Sequence, residues 1–226
     1  LIVAINARHR TIENWRAGHG NDWVDQMLYG GMTAAEKHGY HMLFELVDTD
    51  PDAAIVELDK IIASLRPDGI ILTPPHSQNE ALVELLARRK IGCARINVPD
   101  SFLGITVRMD ERAAAREVTD HLLSLGHRRI AYLSGGREYA VCLDRLDGYK
   151  DAMAAAGAAA HPDWIREGGF LFDPASAQTD ALLAMEERPT AIIADNDEMA
   201  FATLHAIDRA GMLVPRDISI ISFEDT

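Results

Sequence analysis

An α/β protein of two lobes, each built on a parallel sheet, is what the sequence predicts. Three observations carry that reading. Short apolar runs alternate with helical periodicities along the whole of the 226 residues, the pattern of β-α-β units with right-handed crossovers. Runs such as Gly69–Thr73 (GIILT) show no in-out alternation, as expected of strands covered on both faces. Eight or nine such runs are many for one open sheet, so two facing lobes fit better. Topology places the boundary near Gly126-His127, giving an N-terminal lobe over 1–125 and a C-terminal lobe over 126–226.

The elements follow in order. Leu1–Asn6 (LIVAIN) is a core strand, and Ala7–Gly20 a polar loop too long for an ordinary βα connection. A helix runs from Asp22 to His38, with Gly39 as its stop, and His41–Leu46 is a strand. Asp50-Pro51 reads as an N-cap with proline at the first helical position. Ile55, Leu58, Ile61, Ile62 and Leu65 then recur at helical spacing. Ser77-Gln78-Asn79-Glu80 reads as a capping box opening a helix through Arg89. Cys93–Asn97 and Gly104–Arg108 are strands. Asp110 opens a helix with Ala114, Val118, Leu122 and Leu125 inward, closed by Gly126. Arg129–Ser134 is a strand, Arg145–Ala156 a helix with Leu146, Tyr149 and Met153 inward, and Phe170–Phe172 a short strand. Ser176–Glu187 is a helix. Strand Thr190–Ala194, helix Glu198–Ala210 and strand Ile218–Phe223 end the pattern.

Composition narrows the function classes. A net charge of −13, from 22 basic and 35 acidic residues, repels phosphate backbones, so this segment alone is a poor nucleic-acid binder. No apolar run reaches the length of a membrane span, and no secretory signal opens the chain. Cys93 and Cys142 lack metal or redox spacing, which points to free thiols in a cytoplasmic setting. His38 and His41 are separated by Gly39, so a helix end is favoured over a metal site. No cofactor and no metal are expected. The chain opens inside a strand and stops at Thr226 after another, so flanking sequence is expected to be missing on both sides.

Enzyme motifs are missing too. Asn6-Ala7-Arg8-His9 follows the first strand where a dinucleotide would need glycines. Ser134-Gly135-Gly136-Arg137 lacks the lysine of a phosphate loop, and neither G-x-S-x-G nor H-E-x-x-H occurs. What remains are polar and aromatic residues at strand ends, where open parallel sheets bind ligands. Asp195-Asn196-Asp197 and Glu224-Asp225-Thr226 end two strands. Asp110 reads first as an N-cap, a role that a ligand contact can accompany, and Asn196 has the same two readings. Asp197 suits the first turn of a helix, whereas Glu224 has no helix to cap. Arg145 begins its helix against the macrodipole preference, and pairs with Asp144 or Glu138 or meets a ligand. Trp23 and Phe170 either pack on the sheet or offer a face to a sugar.

The chain resembles the effector-binding region of LacI/GalR-type (lac-repressor-like) transcriptional regulators, which share a fold with periplasmic sugar-binding proteins. The resemblance lies in the ordered pieces GNDWVDQMLYGGMTAAEKHGY, RPDGIILTPP, LGHRRIAYLSG, RLDGY, ADNDEMA and VPRDISIISFEDT. It implies two Rossmann-like lobes with parallel sheets, periplasmic-binding-protein-like, with the C-terminal part truncated. It implies effector contacts at Trp23, Asp110, Arg145, Phe170, Asn196 and Glu224, and weaker ones at Asn6, Arg8 and Tyr139. Glu224 stands where the family usually has Asp, and Gly168-Gly169 replaces the usual glycine-acid pair before Phe170. The loop 7–20 departs from a shorter family form. The implied partners are a sugar or polyol effector in the interlobe cleft, a second copy in a homodimer, and operator DNA through an N-terminal helix-turn-helix absent from this chain. No enzyme activity is implied. The runner-up is a periplasmic sugar-binding protein of a transporter. An α/β enzyme acting through Asp110 and Glu224 is a third reading, without a nucleophile motif.

Overall fold

The structure, a computed structural model, describes residues 1–18, 22–98, 103–158 and 160–224. The chain divides into two compact units, Leu1–Met109 and Asp110–Thr226. The division falls before the helix Glu111–Ser124, not at 125/126. That helix packs on Ala140–Ala155 of the second unit, where a Cβ on Gly148 would sit 2.1 Å from Arg112 O. Backbones this close tie the helix to the second unit.

The first unit runs β1 (Ile2–Ala7), α1 (Arg8–Ala17), α2 (Asp22–Lys37), β2 (Met42–Val47), α3 (Pro51–Leu65), β3 (Gly69–Leu72), α4 (Glu80–Arg89), β4 (Gly92–Ile96) and β5 (Ile105–Val107). Its strands are all parallel in the order β2-β1-β3-β4-β5. The strand order reverses direction between β1 and β3, which opens a crevice at their carboxyl ends. Val3, Ile5, Leu58, Ile70, Leu72, Leu82 and Leu86 form the core. Asp50 caps α3 by accepting from Ala53 N at 2.9 Å, as its place before Pro51 predicts.

The second unit runs α5 (Glu111–Ser124), β6 (Ile130–Ser134), α6 (Ala140–Ala155), β7 (Ile165–Glu167), α7 (Phe172–Leu183), β8 (Ala191–Ala194), α8 (Asp197–Arg209) and β9 (Ser219–Ser222). The parallel order is β7-β6-β8-β9, so its crevice lies between the ends of β6 and β8. Tyr132, Tyr149, Met153, Ile130 and Ile193 fill one side of this sheet, and Leu133, Ile192, Leu182 and Ile207 the other.

Several expectations are corrected. Residues 8–17 of the expected loop 7–20 form helix α1, while residues 19–21 lie outside the described ones. Its inward face carries Thr11 and Asn14, both buried, so it shows no apolar stripe. The capping box at Ser77 does not form. His76–Gln78 makes a 3-10 turn, and Asn79 caps α4 by accepting from Ala81 N at 3.1 Å. Leu125 is exposed, because α5 buries Ala115, Thr119, Leu122 and Leu123 instead. Phe170–Phe172 is no strand: Phe170 sits at φ +59, α7 starts at Phe172, and the edge strand is β7. Helix α6 starts five residues before Arg145, at Ala140, and α7 starts and ends four residues before the expected Ser176–Glu187.

Candidate functional site

The second unit collects the densest set of candidate residues. Asp195 follows the last residue of β8 and is fully buried. Tyr132 Oη, from β6, donates to its Oδ1 at 2.5 Å, and Gly135 N, just past β6, donates to its Oδ2 at 2.8 Å. The carboxylate thus bridges the two strands at their switch point. Burial pushes the Asp195 carboxyl above the ordinary range, against the pull of nearby Arg145, Tyr132 and Gly135. Burial, with Asp195 beside it, also raises the Tyr132 hydroxyl well above its usual value.

Arg145 reaches this point from the second turn of α6. Its Nε donates to Glu111 Oε2 at 2.6 Å and its Nη1 to the Asp195 carbonyl at 2.8 Å. Nη1 also stands 3.8 Å from Asp195 Oδ1, and the guanidinium lies 4.2 Å over the Phe223 ring. Its ion-pair partners are therefore Glu111 and Asp195, from α5 and the end of β8, rather than the sequence neighbours Asp144 or Glu138. Burial opposes the Arg145 charge, but Asp195 and Glu111 more than offset it and raise the pKa.

Asn196 is both cap and site candidate by position. Its Oδ1 accepts from Met199 N at 3.0 Å at the start of α8. Asp197 is the first residue of α8, and its Oδ1 accepts from Ser222 Oγ at 2.6 Å, linking α8 to β9. Phe170 lies over the turn after β6, and Tyr139, before α6, meets its ring edge-on at 5.3 Å. Glu224 stands just past β9 at φ +85. Two candidate residues, Phe170 and Glu224, thus hold left-handed backbone that non-glycine residues seldom adopt. Asp110 is exposed and caps α5, with its Oδ1 accepting from Ala113 N at 3.0 Å. Asp225 and Thr226 lie outside the described residues.

The first unit holds the other three candidates. Asn6 is buried at the switch point, where its Nδ2 donates to Thr11 Oγ1 at 3.1 Å and its Oδ1 accepts from Thr73 Oγ1 at 2.6 Å. Arg8 is clamped by both Glu57 oxygens, at 2.9 and 2.6 Å, and donates to Leu46 O at 2.9 Å. Trp23, in the first turn of α2, is 37% exposed. A cavity of about 260 Å³ lies beside α1, lined by Arg8, Arg16, Glu13 and Asp48 among others.

Glu111 and Tyr132 are the functional candidates that reasoning from sequence passes over, and Asp195 is noted there only within its strand-end cluster. The signal for Asp195 is that it follows an apolar strand directly. Glu111 carries no local signal, because its partner is 34 residues away. Among the described residues no group of His, Cys, Asp and Glu is placed to hold a metal, and no helix is long and apolar enough to cross a membrane. The arrangement can orient a polar molecule through an arginine, an amide and strand-end carboxylates, with aromatic faces beside them.

Residues 119–226 match the periplasmic binding protein-like domain family. The chain is 29% identical over 206 residues to an HTH-type transcriptional repressor PurR of Aliivibrio salmonicida, an alignment covering 91% of this chain and 62% of that protein. It is 39% identical over 169 residues to a PurR of Vibrio atlanticus, covering 74% of this chain and 50% of that protein. Among solved structures, a LacI transcriptional regulator from Bacillus cereus subsp. cytotoxis superposes with a TM-score of 0.84 at 25% identity, covering 100% of this chain and 78% of that one. A CelR–cellobiose complex gives 0.84 at 22% identity, covering 100% and 67%, and shows the fold. The class is thus a periplasmic-binding-protein-like α/β protein with two parallel-sheet units. Within it, the chain is similar to LacI-family regulators and to PurR repressors over part of their length. It spans about three fifths or less of the length of the curated relatives it matches.

Proposed function

We propose that this chain is the effector-binding and dimerisation region of a cytoplasmic, DNA-binding transcriptional regulator. A small neutral sugar or polyol binds at the carboxyl ends of the parallel strands. Binding alters the affinity of an N-terminal helix-turn-helix for operator DNA, by as much as the effector's affinities for the two conformational states differ. The observation that carries this reading is the fixing of Arg145 at the β6–β8 switch point, beside Asn196 and near Phe170. In the second unit the proposed effector contacts are Arg145, Asn196, Phe170, Glu224 and Asp110; in the first unit the candidate is Trp23. Tyr139 supports Phe170. Asn6 and Arg8, held by Thr73 and Glu57, shape the strand ends of the first unit.

The named relatives are repressors, which favours this reading over a periplasmic transport protein and over an enzyme. The cellobiose bound in one structural relative favours a sugar. The experiment is a melting series against hexoses, disaccharides, polyols, nucleosides, free nucleobases and amino acids. A rise in melting temperature confined to sugars or polyols is expected. A response confined to nucleobases, nucleosides or amino acids overturns the sugar, and a flat series overturns the small-molecule site.

A further inference from the structure

The surroundings of Arg145 carry a consequence for which effectors fit, and it rests on the reading that Arg145 meets the effector. A lone arginine at a ligand site favours carboxylates and phosphates, which its planar fork binds bidentately. Here the guanidinium is already counterbalanced. Glu111 takes Nε at 2.6 Å, and its side chain is 4% exposed. Asp195 stands 3.8 Å from Nη1 and is fully buried. With both acids ionised the trio carries one net negative charge, and with Asp195 protonated it is neutral. In neither state is positive charge left for a ligand.

We propose that Glu111 and Asp195 are specificity-determining residues: by neutralising Arg145 they make the site reject effectors bearing a carboxylate or phosphate and admit uncharged or amino-bearing ones. Glu111 sits next to Asp110, at the start of α5, so one helix N-terminus supplies both a proposed ligand contact and the group that sets the charge of another. The dipole of α5 favours an acid there.

Inorganic phosphate is the probe, and Glu111→Gln the variant. Removing the Glu111 charge leaves the buried guanidinium facing Asp195 alone, and in excess whenever Asp195 is protonated, so the variant gains an anion site. Phosphate stabilises any folded protein through exclusion from its surface, so the readout is the difference between variant and parent at matched ionic strength. An excess rise in melting temperature on the order of 2 °C or more at tens of millimolar phosphate is expected, abolished when Arg145→Met is added. The second variant adds Asp195→Asn, which keeps the shape and an acceptor for Tyr132, to Glu111→Gln; it leaves the guanidinium without either acid and shifts further the same way. The proposal is overturned if neither folded variant shows an excess, or if the parent is already stabilised through Arg145. A flat sugar series beside a phosphate gain in Glu111→Gln removes the effector reading and leaves the charge assignment standing. A sugar response with no phosphate gain does the reverse.

Discussion

The ring of Phe170 lies against Gly135 so closely that a Cβ on Gly135 would sit 2.1 Å from Phe170 Cζ. The contact joins the turn after β7 to the turn after β6, and the same Gly135 gives its N–H to Asp195. One glycine therefore seats an aromatic face and a buried carboxylate at a single strand end.

Gly135→Ala should drive the Phe170 ring out of place. Overpacking of this kind costs about 1–3 kcal/mol, read by chemical denaturation. Adding Phe170→Ala should recover part of that loss. A double variant as unstable as the sum of the two single ones would show that the ring is not what the methyl meets.

The Asp195 carboxylate accepts from Tyr132 and Gly135 and stands beside Arg145. Asp195→Ala removes the acid beside buried Arg145 and strands the Tyr132 hydroxyl, a loss of about 3–5 kcal/mol. Tyr132→Phe removes a single hydrogen bond and should cost about 1–3 kcal/mol. Their double variant should lose less than the sum, because the second change removes a donor already orphaned by the first. Strict additivity in equilibrium unfolding would contradict the bridging role of the carboxylate.

Acid should weaken the first unit in two stages. His76 is buried, its Nε2–H donates to Val47 O at 3.2 Å, and burial holds its pKa below 6.5. The unfolded chain then takes up the proton first. The stability tied to neutral His76 is complete above the unfolded value and is lost as pH falls through the folded one. Glu57 lies below its ordinary 4.5 because Arg8 hydrogen-bonds it. Its contribution is likewise present above that value and lost at lower pH. Stability against pH should therefore decline from about 6.5 downward, and His76→Gln should flatten the upper part of that decline while leaving the lower part.

These buried groups mark the boundary of what the sequence makes legible. Strands such as Ile130–Ser134 and Ala191–Ala194 are visible because both of their faces are buried and apolar. The caps at Asp50, Asp110 and Asn196 are visible because the bond each makes is local. Helix α1 is hidden because its buried face is Thr11 and Asn14, held by polar contacts such as Asn6 to Thr11. The start of α6 is hidden because Tyr139 offers no side-chain cap, which makes Arg145 look like a first-turn residue. Its pairing with Glu111 and Asp195, 34 and 50 residues away, belongs to the packing of α5, α6 and β8 and has no local trace.

Arg145 is proposed to hold an effector at the β6–β8 switch point. The most direct test of that role is calorimetric titration of the sugar that raises the melting temperature most, into the parent and into Arg145→Lys. Lysine keeps the charge facing Glu111 and Asp195, so the fold is retained, but loses the planar fork. Binding weakened by more than tenfold, as expected for loss of a charged hydrogen bond of roughly 1.5–3 kcal/mol, is the predicted result. An unchanged titration curve in a variant that melts like the parent would contradict it.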